Sequence, residues 1–399
     1  MLEKSTKQKF LNKSYVRLTS LIKKVPREIY FIIILFLITR TVLTFSGLLS
    51  RQILKDVYKN WYEWRYDKHQ WLDIWSVWDS GWYLDIAENG YSPTLQSTLP
   101  KKTCCGQSNI VFFPLYPIGI RFFGNIIGSY YLSGVLISNA SFLLASIFFY
   151  KLVSDMFDKQ IAKRAVLFLY LFPTSYFFSA LLTEGFFFLT VVLSFYFAYR
   201  KKWFTSSLFA FLSALTRSVG VLVIVPLLIG YLHKKIKDGK KIDYKILFFG
   251  LVLLAPVGVA LFMHHLTGNP LSTFLVEKNG WGHGITNPIS YLIEIFSSKN
   301  AVLVYFLFLF IFEFLLIVKN YKKLGLSLTS YSIIFLIFPL FSGGETILAL
   351  PRFAAIVFPI YISLALSIKS KLSTIFISVI FLSLQFISMF FWSIGIFGY

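Results

Sequence analysis

Asp79 is the residue in this sequence best suited to acid–base chemistry. It stands in a run where four tryptophans recur at helical spacing, namely Trp71, Trp75, Trp78 and Trp82. Indole rings favour the membrane–water interface, so this spacing predicts a helix lying along a bilayer surface, with Asp79 beside its apolar face. A carboxylate there can act as a general base that takes a proton from a hydroxyl. The alternative from spacing alone is a solvated loop aspartate or a helix N-cap.

Ionisable side chains within long apolar runs form the second group of candidates, because a charge inside a bilayer is costly. They are Arg40, Glu184, Arg217 and Arg352. Arg217 and Arg352 suit an anionic lipid head group, because a guanidinium offers planar, bidentate donors to phosphate. A plain ion pair between Glu184 and Arg217, tying two helical hairpins together, is the alternative interpretation.

Trp78, Asp85 and Tyr116 are weaker candidates for substrate contacts. Tyr116 lies between two prolines, Pro114 and Pro117, which oppose a regular helix start before residue 117. Residues 111–127 are therefore predicted to form an interfacial or re-entrant segment that lines a lipid groove, or else the plain start of a helix.

The apolar content of the chain indicates which elements position these residues. Of 399 residues, 56% are hydrophobic and 14% are charged, against about a quarter charged in soluble domains. This composition excludes a water-soluble enzyme and a disordered protein. Apolar runs long enough to cross a bilayer occupy 29–49, 130–150, 244–266, 300–318, 324–342, 350–368 and 372–394.

Two further apolar runs, 165–199 and 203–232, are each too long for one crossing and short for two. Each predicts a tight hairpin of short helices, the first turning near residues 180–183 and the second near Arg217. The sequence thus predicts an all-α polytopic membrane protein with about 11 transmembrane helices.

The charge distribution indicates an orientation. The net charge is +21, from 39 Lys and Arg against 18 acidic residues. With the N-terminus cytoplasmic, the inner segments hold 26 basic and six acidic residues, whereas the outer side holds 13 and 11, and Glu313 falls inside a helix. Cytoplasmic loops collect Lys and Arg, so the candidate residues are expected on the extracytoplasmic side. The charge then reflects topology and attraction to membrane lipid, and nucleic acid is not expected as a partner.

A single membrane domain is expected. Residues 1–28 form a basic cytoplasmic segment without a cleavable signal peptide, and 29–399 form one transmembrane domain, in which 50–128 supply an extracytoplasmic loop with interfacial helices. No metal or cofactor is expected, because no two of the five histidines stand at i, i+4 spacing with a carboxylate between them, and no glycine-rich phosphate loop occurs.

Several motifs resemble the PIG-V type of GPI mannosyltransferases and their prokaryotic relatives. The most specific is Trp78-Asp79-Ser80-Gly81-Trp82-Tyr83-Leu84-Asp85, followed by Phe112-Phe113-Pro114-Leu115-Tyr116-Pro117. Short segments similar to the family's later ones follow in the same order: Leu171-Phe172-Pro173, Thr183-Glu184, Leu215-Thr216-Arg217 and Pro351-Arg352-Phe353. The resemblance covers about residues 78–360. The chain departs from the family at Trp82-Tyr83, where His-Phe is common, so the acceptor contact of that histidine does not carry over.

The resemblance implies a GT-C glycosyltransferase fold and an inverting transfer of mannose from a polyprenyl-phosphate donor, of the dolichyl-phosphate type, to a lipid-linked or glycan acceptor. Asp79 would be the catalytic base, with Arg217 and Arg352 holding the leaving phosphate and Glu184 orienting the acceptor or an arginine. No metal is required if the arginines neutralise the departing charge. The short outer loops favour a prokaryotic plasma membrane over an endoplasmic reticulum membrane.

Two other classes of function fit the same residues. A polyprenyl-lipid flippase or transporter would need the arginines but not Asp79, although the sequence shows no inverted pair of broken helices of the kind that transporters use. A non-catalytic subunit of a glycan-assembly complex is expected if no groove lies beside Asp79.

Overall fold

The computed structural model describes residues 26–54, 66–92, 106–284, 286–297, 301–342 and 349–396. Within these ranges the chain is helical and has no strand. Residues 1–25 of the predicted basic segment 1–28 lie outside them. The helices are α1 (Arg27–Ile53), α2 (Ser80–Asn89), α3 (Leu115–Ile127), α4 (Tyr130–Met156), α5 (Lys159–Leu171), α6 (Glu184–Tyr199), α7 (Trp203–Thr216), α8 (Ile224–Lys237), α9 (Gly250–Thr267), α10 (Ser272–Trp281), α11 (Pro288–Ser297), α12 (Ala301–Ile337), α13 (Leu350–Ala355), α14 (Pro359–Ser367) and α15 (Lys371–Trp392).

Six segments of the described residues are long and apolar enough to cross a bilayer. They are Arg27–Ile53, Tyr130–Met156, Ser218–Lys237, Tyr244–Thr267, Leu303–Phe341 and Lys371–Trp392. The shorter helices α3, α6 and α7 are also apolar. α12 contains Gly325 with a φ of 78°, a break that separates the two runs predicted at 300–318 and 324–342. The prediction of an all-α polytopic membrane protein is confirmed.

Both long apolar runs divide into short helices where the sequence predicts, but the two helices of each run pack little against each other, and α6 packs on α7 instead. α5 and α6 flank an irregular segment, 172–183, with a 3-10 turn at Ser175–Phe178. α7 and α8 are joined at Arg217 through the 3-10 helix Ser218–Val223. Glu184 begins α6 and Arg217 directly follows α7, while the opposite ends of these two helices meet at residues 200–202. Glu184 and Arg217 therefore lie at the same end of the bundle, opposite a basic turn.

α6 is the buried centre of this arrangement. Nearly all its residues from Glu184 to Phe195 are buried, which suits a helix that is apolar on every side. A Cβ atom on Gly185 would lie 2.5 Å from the Phe178 carbonyl oxygen and 2.7 Å from that of Ser138. The glycine thus allows α4 and the Ser175–Phe178 turn to approach the backbone directly beside Glu184.

The predicted surface helix through the four tryptophans does not form. The chain makes one helical turn at Gln70–Asp73 and then an irregular stretch, and α2 begins only at Ser80. Trp78 interrupts the helix with a φ of 59°, a left-handed conformation that costs a non-glycine residue roughly 1–2 kcal/mol. Trp75 and Trp82 are buried, whereas Trp71 is exposed.

A buried ion pair, which the spacing of the tryptophans does not reveal, fixes this stretch. Arg51 at the end of α1 donates to Asp73 Oδ2 at 2.6 Å, and both side chains are almost fully buried. Asp73 Oδ1 accepts the backbone N–H groups of Tyr66 and Asp67. The Leu181 N–H donates to the Trp75 carbonyl at 2.8 Å. The loop before Asp79 is thereby tied to the segment that precedes Glu184.

α3 starts two residues before the second proline. Pro117 fits because it stands in the first turn, where a backbone N–H has no partner within the helix. Ile118, Phe122 and Ile126 follow one another on one face and are exposed. This apolar face supports the interfacial helix that the sequence predicts.

Candidate active site

Four of the predicted residues form one connected ionic network. Arg352 donates from a terminal nitrogen to Asp79 Oδ2 at 2.5 Å, and its Nε donates to Glu184 Oε1. The same Glu184 oxygen accepts from Arg217, whose terminal nitrogen also donates to Thr183 Oγ1 at 3.1 Å. Two carboxylates thus alternate with two guanidiniums, and the formal charges of the four side chains cancel.

Exposure divides this network into an inner and an outer part. The side chains of Glu184 and Arg352 are 0% and 7% exposed, whereas those of Arg217 and Asp79 are 13% and 24% exposed. Asp79 and Arg217 are therefore the two more exposed members of the network. The second Glu184 oxygen, Oε2, is buried without a hydrogen-bond partner among the described residues, so it has capacity for a further donor.

The local backbone leaves the Asp79 carboxylate available to pair with Arg352. Asp79 directly precedes α2, where an aspartate often caps the helix, but its side chain makes no capping hydrogen bond. Trp78, with its left-handed backbone conformation, changes the direction of the chain immediately before Asp79. Strained backbone of this kind persists only where the surroundings hold it, and it concentrates at functional sites. The pairing with Arg352 replaces the N-cap interpretation.

Two aromatic rings lie beside the guanidinium of Arg217. Its guanidinium carbon lies 5.2 Å from the Phe353 ring centre and 6.0 Å from that of Phe187. Gly220 allows the chain after Arg217 to fold back on α7, because a Cβ atom there would lie 2.2 Å from the Ser213 carbonyl oxygen. The predicted ion pair between Glu184 and Arg217 exists, but it is part of the larger network rather than a separate tie between hairpins.

An aromatic wall that sequence reasoning missed stands beside the network. Trp82 stacks on Phe112 with ring centres 5.9 Å apart, and Trp281 lies edge-on to Trp82 at 5.8 Å. Tyr83 packs edge-on to Phe112 at 5.1 Å, and burial raises the pKa of its phenol to about 12. Tyr83 therefore stays neutral. The position of Trp82 and Tyr83 shortly after Asp79 in the sequence was the available signal.

An apolar groove is lined in part by α2 and α7, the helices that adjoin Asp79 and Arg217 in the chain. It has a volume of about 520 Å³ and lies between α2, α3 and α9, with Leu215 in its wall two residues before Arg217. Arg121 is the charged side chain in its lining, and Gly258 leaves open space, since a Cβ atom there meets nothing within 4 Å.

The remaining predicted residues lie outside the network. Arg40 is buried and donates to Ser179 Oγ at 2.7 Å and to the Ser175 carbonyl, so it holds the turn that leads to Glu184. The Asp85 oxygens accept from Asn89 and Asn109, each at 2.9 Å, and brace the end of α2.

Tyr116 is buried and bonded to Ser138 Oγ at 2.7 Å, and its ring lies edge-on to that of Tyr83 at 5.3 Å. For Arg40, Asp85 and Tyr116 these contacts favour structural roles over the predicted substrate contacts. Among the described residues, no group of three or more His, Cys, Asp or Glu side chains could hold a metal ion.

No protein-family model matches the chain. No curated protein matches it either. Among solved structures, that of ArnT from Cupriavidus metallidurans bound to undecaprenyl phosphate is similar, with a TM-score of 0.54 and 15% identity over 87% of this chain and 62% of ArnT. The oligosaccharyltransferase of Archaeoglobus fulgidus in complex with zinc and sulfate gives a TM-score of 0.45 and 15% identity over 90% of this chain and 53% of that one. The likeness to ArnT concerns the fold: this chain is a polytopic membrane protein with the GT-C fold.

Proposed function

We propose that this protein is a membrane glycosyltransferase that takes its sugar from a polyprenyl phosphate. The observation that carries the proposal is the network in which Arg352 joins Asp79 to the buried Glu184, with Arg217 at the other end. The motif resemblance to PIG-V type enzymes favours mannose as the sugar and a lipid-linked or glycan acceptor. The undecaprenyl phosphate bound to ArnT supports the class of donor lipid.

In the proposed reaction Asp79 is the general base. The acceptor hydroxyl attacks the anomeric carbon, Asp79 takes the hydroxyl proton, and the bond from that carbon to the phosphate oxygen breaks with its electron pair staying on the phosphate. The donor is a phosphodiester with one negative charge, and the product phosphate carries one more. Asp79 loses a charge as the phosphate gains one, so the total charge of the site is unchanged.

The arginines would follow this transfer of charge. Protonation of Asp79 weakens its pair with Arg352, and that guanidinium can then turn donors to the departing phosphate. Arg217, the more exposed arginine, would receive the phosphate first. Glu184 is a positioning residue, because it is fully buried and its Oε1 fixes both guanidiniums.

The apolar groove gives the hydrocarbon chain of a lipid substrate a place beside these charges. Its wall includes Leu215, next to Thr216 and Arg217, and its lining is otherwise mainly apolar. Arg121 on the same groove suits a phosphate, because arginine can extend its charged end from apolar surroundings. Such a lipid would lie at the end of the bundle that the charge distribution assigns to the extracytoplasmic side, in a plasma membrane by the length of the outer loops.

The proposal is tested by naming sugar and acceptor together. Lipid-linked and protein-linked glycans from a deletion strain are compared with those of the parent strain by mass spectrometry. We expect one hexose to be missing from one class of glycan and to return with the wild-type gene. Purified protein in liposomes should then transfer labelled mannose from polyprenyl-phosphate mannose. An unchanged glycan profile together with no transfer from this donor would contradict the proposal.

A further inference from the structure

A second cavity lies at the opposite end of the bundle from the ionic network. It has a volume of about 140 Å³ and is lined by the turn after α6, by α8 and by the segment that follows α8. Trp203 and Tyr231 contribute aromatic walls, and the charged lining consists of Lys201, Lys234, Lys235, Lys240, Lys245, Asp238 and Asp243. None of these residues belongs to the proposed active site.

The cavity carries an excess of positive charge. Asp243 accepts from Lys235 Nζ at 2.7 Å and from the Tyr231 hydroxyl at 2.9 Å. The hydrogen bond from Lys235 lowers the pKa of Asp243 to about 2, so this carboxylate stays ionised and paired with Lys235. The other four lysines of the lining make no ion pair with any residue that the structure describes. Five lysines against two aspartates suit an anion.

Lys201 is held at the cavity by an unusual backbone conformation. Its φ is 60°, and its N–H donates to the Ala198 carbonyl at 2.9 Å as the left-handed cap of α6. Glycine is the usual residue at such a cap, because a side chain is disfavoured there. A lysine is disfavoured in this conformation, which indicates that the charged side chain, and not the shape of the turn, accounts for the residue at this position.

Apolar side chains next to the lysines indicate what kind of anion fits. Tyr244 and Leu247, on either side of Lys245, are 68% and 74% exposed, and they begin a segment apolar enough to span a membrane. A ligand that places a phosphate among the lysines can therefore lay hydrocarbon along these residues. We propose that this cavity binds the phosphate of an anionic phospholipid, with the acyl chains against Tyr244 and Leu247.

The test compares two double variants that each remove two positive charges. Lys201→Gln with Lys234→Gln changes the cavity, and Lys322→Gln with Lys323→Gln changes an exposed basic segment elsewhere. The full chain in uncharged detergent is titrated with phosphatidylglycerol or phosphatidylcholine, and its unfolding temperature is followed. We expect phosphatidylglycerol alone to raise this temperature. The cavity variant should need roughly tenfold more of this lipid than wild type, and the control variant about the same amount as wild type.

Three results would overturn the proposal. Equal weakening of both double variants would indicate diffuse attraction of anionic lipid to a basic face. An equal rise with glycerol 3-phosphate would indicate a soluble phosphorylated ligand. No rise with phosphatidylglycerol in wild type would mean that no such site exists. If the double cavity variant unfolds at a lower temperature without lipid, Lys240→Gln alone, on the loop, replaces it with the same expected direction.

Discussion

Arg352 donates to Asp79 Oδ2 across 273 positions of the chain. Its Nε donates at the same time to Glu184, 168 positions away. The rigid, diverging donors of a guanidinium can hold two carboxylates in fixed directions, whereas a lysine ammonium is a point charge on a flexible stem. The late arginine is thus the residue that unites the loop carboxylate with the buried carboxylate.

Replacing Arg352 with lysine should therefore impair catalysis although the charge is kept. We expect the rate of sugar transfer to fall by about 10²–10³-fold, the usual cost of losing one oriented donor to a developing negative charge. Initial rates with labelled donor in liposomes measure this. Arg200→Lys is the control, since Arg200 pairs with Asp155 on an exposed surface. Equal rates for both variants would contradict a role for the guanidinium geometry.

Glu184→Gln should destabilise the protein as well as slow it. The change leaves two buried or half-buried guanidiniums without their shared carboxylate, and breaking a buried pair typically costs about 3–5 kcal/mol. Denaturant titration in detergent measures the loss of unfolding free energy. Glu277→Gln is the matched control, because its partner His283 is 3.3 Å away and both side chains are about a third exposed. A Glu184→Gln variant as stable as this control would rule out the anchoring role.

The apolar groove predicts a selective effect of Gly258→Leu. A larger side chain there enters open space in the groove, so we expect a severalfold higher KM for the lipid substrate with little change in the unfolding temperature. Gly250→Leu on the same helix is the control, because it also enters open space but lies outside the groove lining. If both variants raise KM equally, the groove is not where the lipid chain lies.

The ion pair between Arg51 and Asp73 predicts a defect at a distance from the site. Asp73→Asn leaves Arg51 buried without its counter-charge, at a cost of about 3–5 kcal/mol. We expect a lower unfolding temperature and lower transfer, because this pair fixes the loop that leads to Asp79. Asp67→Asn on the same loop should behave like wild type, since Asp67 is partly exposed and pairs with the exposed His69. A stable and active Asp73→Asn variant would show that the loop is held by other contacts.

The division of the two long apolar runs into short helices could be predicted from the sequence because length decides it. Runs of 35 and 30 apolar residues broken by Arg200, Lys201 and Lys202 fit two short helices each and little else. The same run lengths predict Glu184 and Arg217 at the breaks between helices, and hence at one end of the bundle.

The contacts within the site could not be predicted in the same way. Helical spacing suggested one surface helix through Trp75 and Trp82, but spacing does not show that Asp73 pairs with Arg51 or that Trp78 adopts a left-handed backbone. Long-range pairing also decides the partners of each arginine. Arg40 and Arg352 are both arginines in apolar runs, yet Arg40 is taken up by Ser175 and Ser179, while Arg352 reaches Asp79.

Asp79→Asn is the most direct test of the proposed mechanism. The amide keeps the shape of the side chain but cannot take the acceptor proton, so we predict loss of transfer from radiolabelled polyprenyl-phosphate mannose, by about 10²–10⁴-fold, with the unfolding temperature and lipid binding largely retained. Glu88→Gln, an exposed acid on the same helix, should remain active. Wild-type turnover by Asp79→Asn would contradict the assignment of Asp79 as the base. If lipid movement across liposomes then depended on Arg217 and Arg352, a lipid transporter would explain the site better.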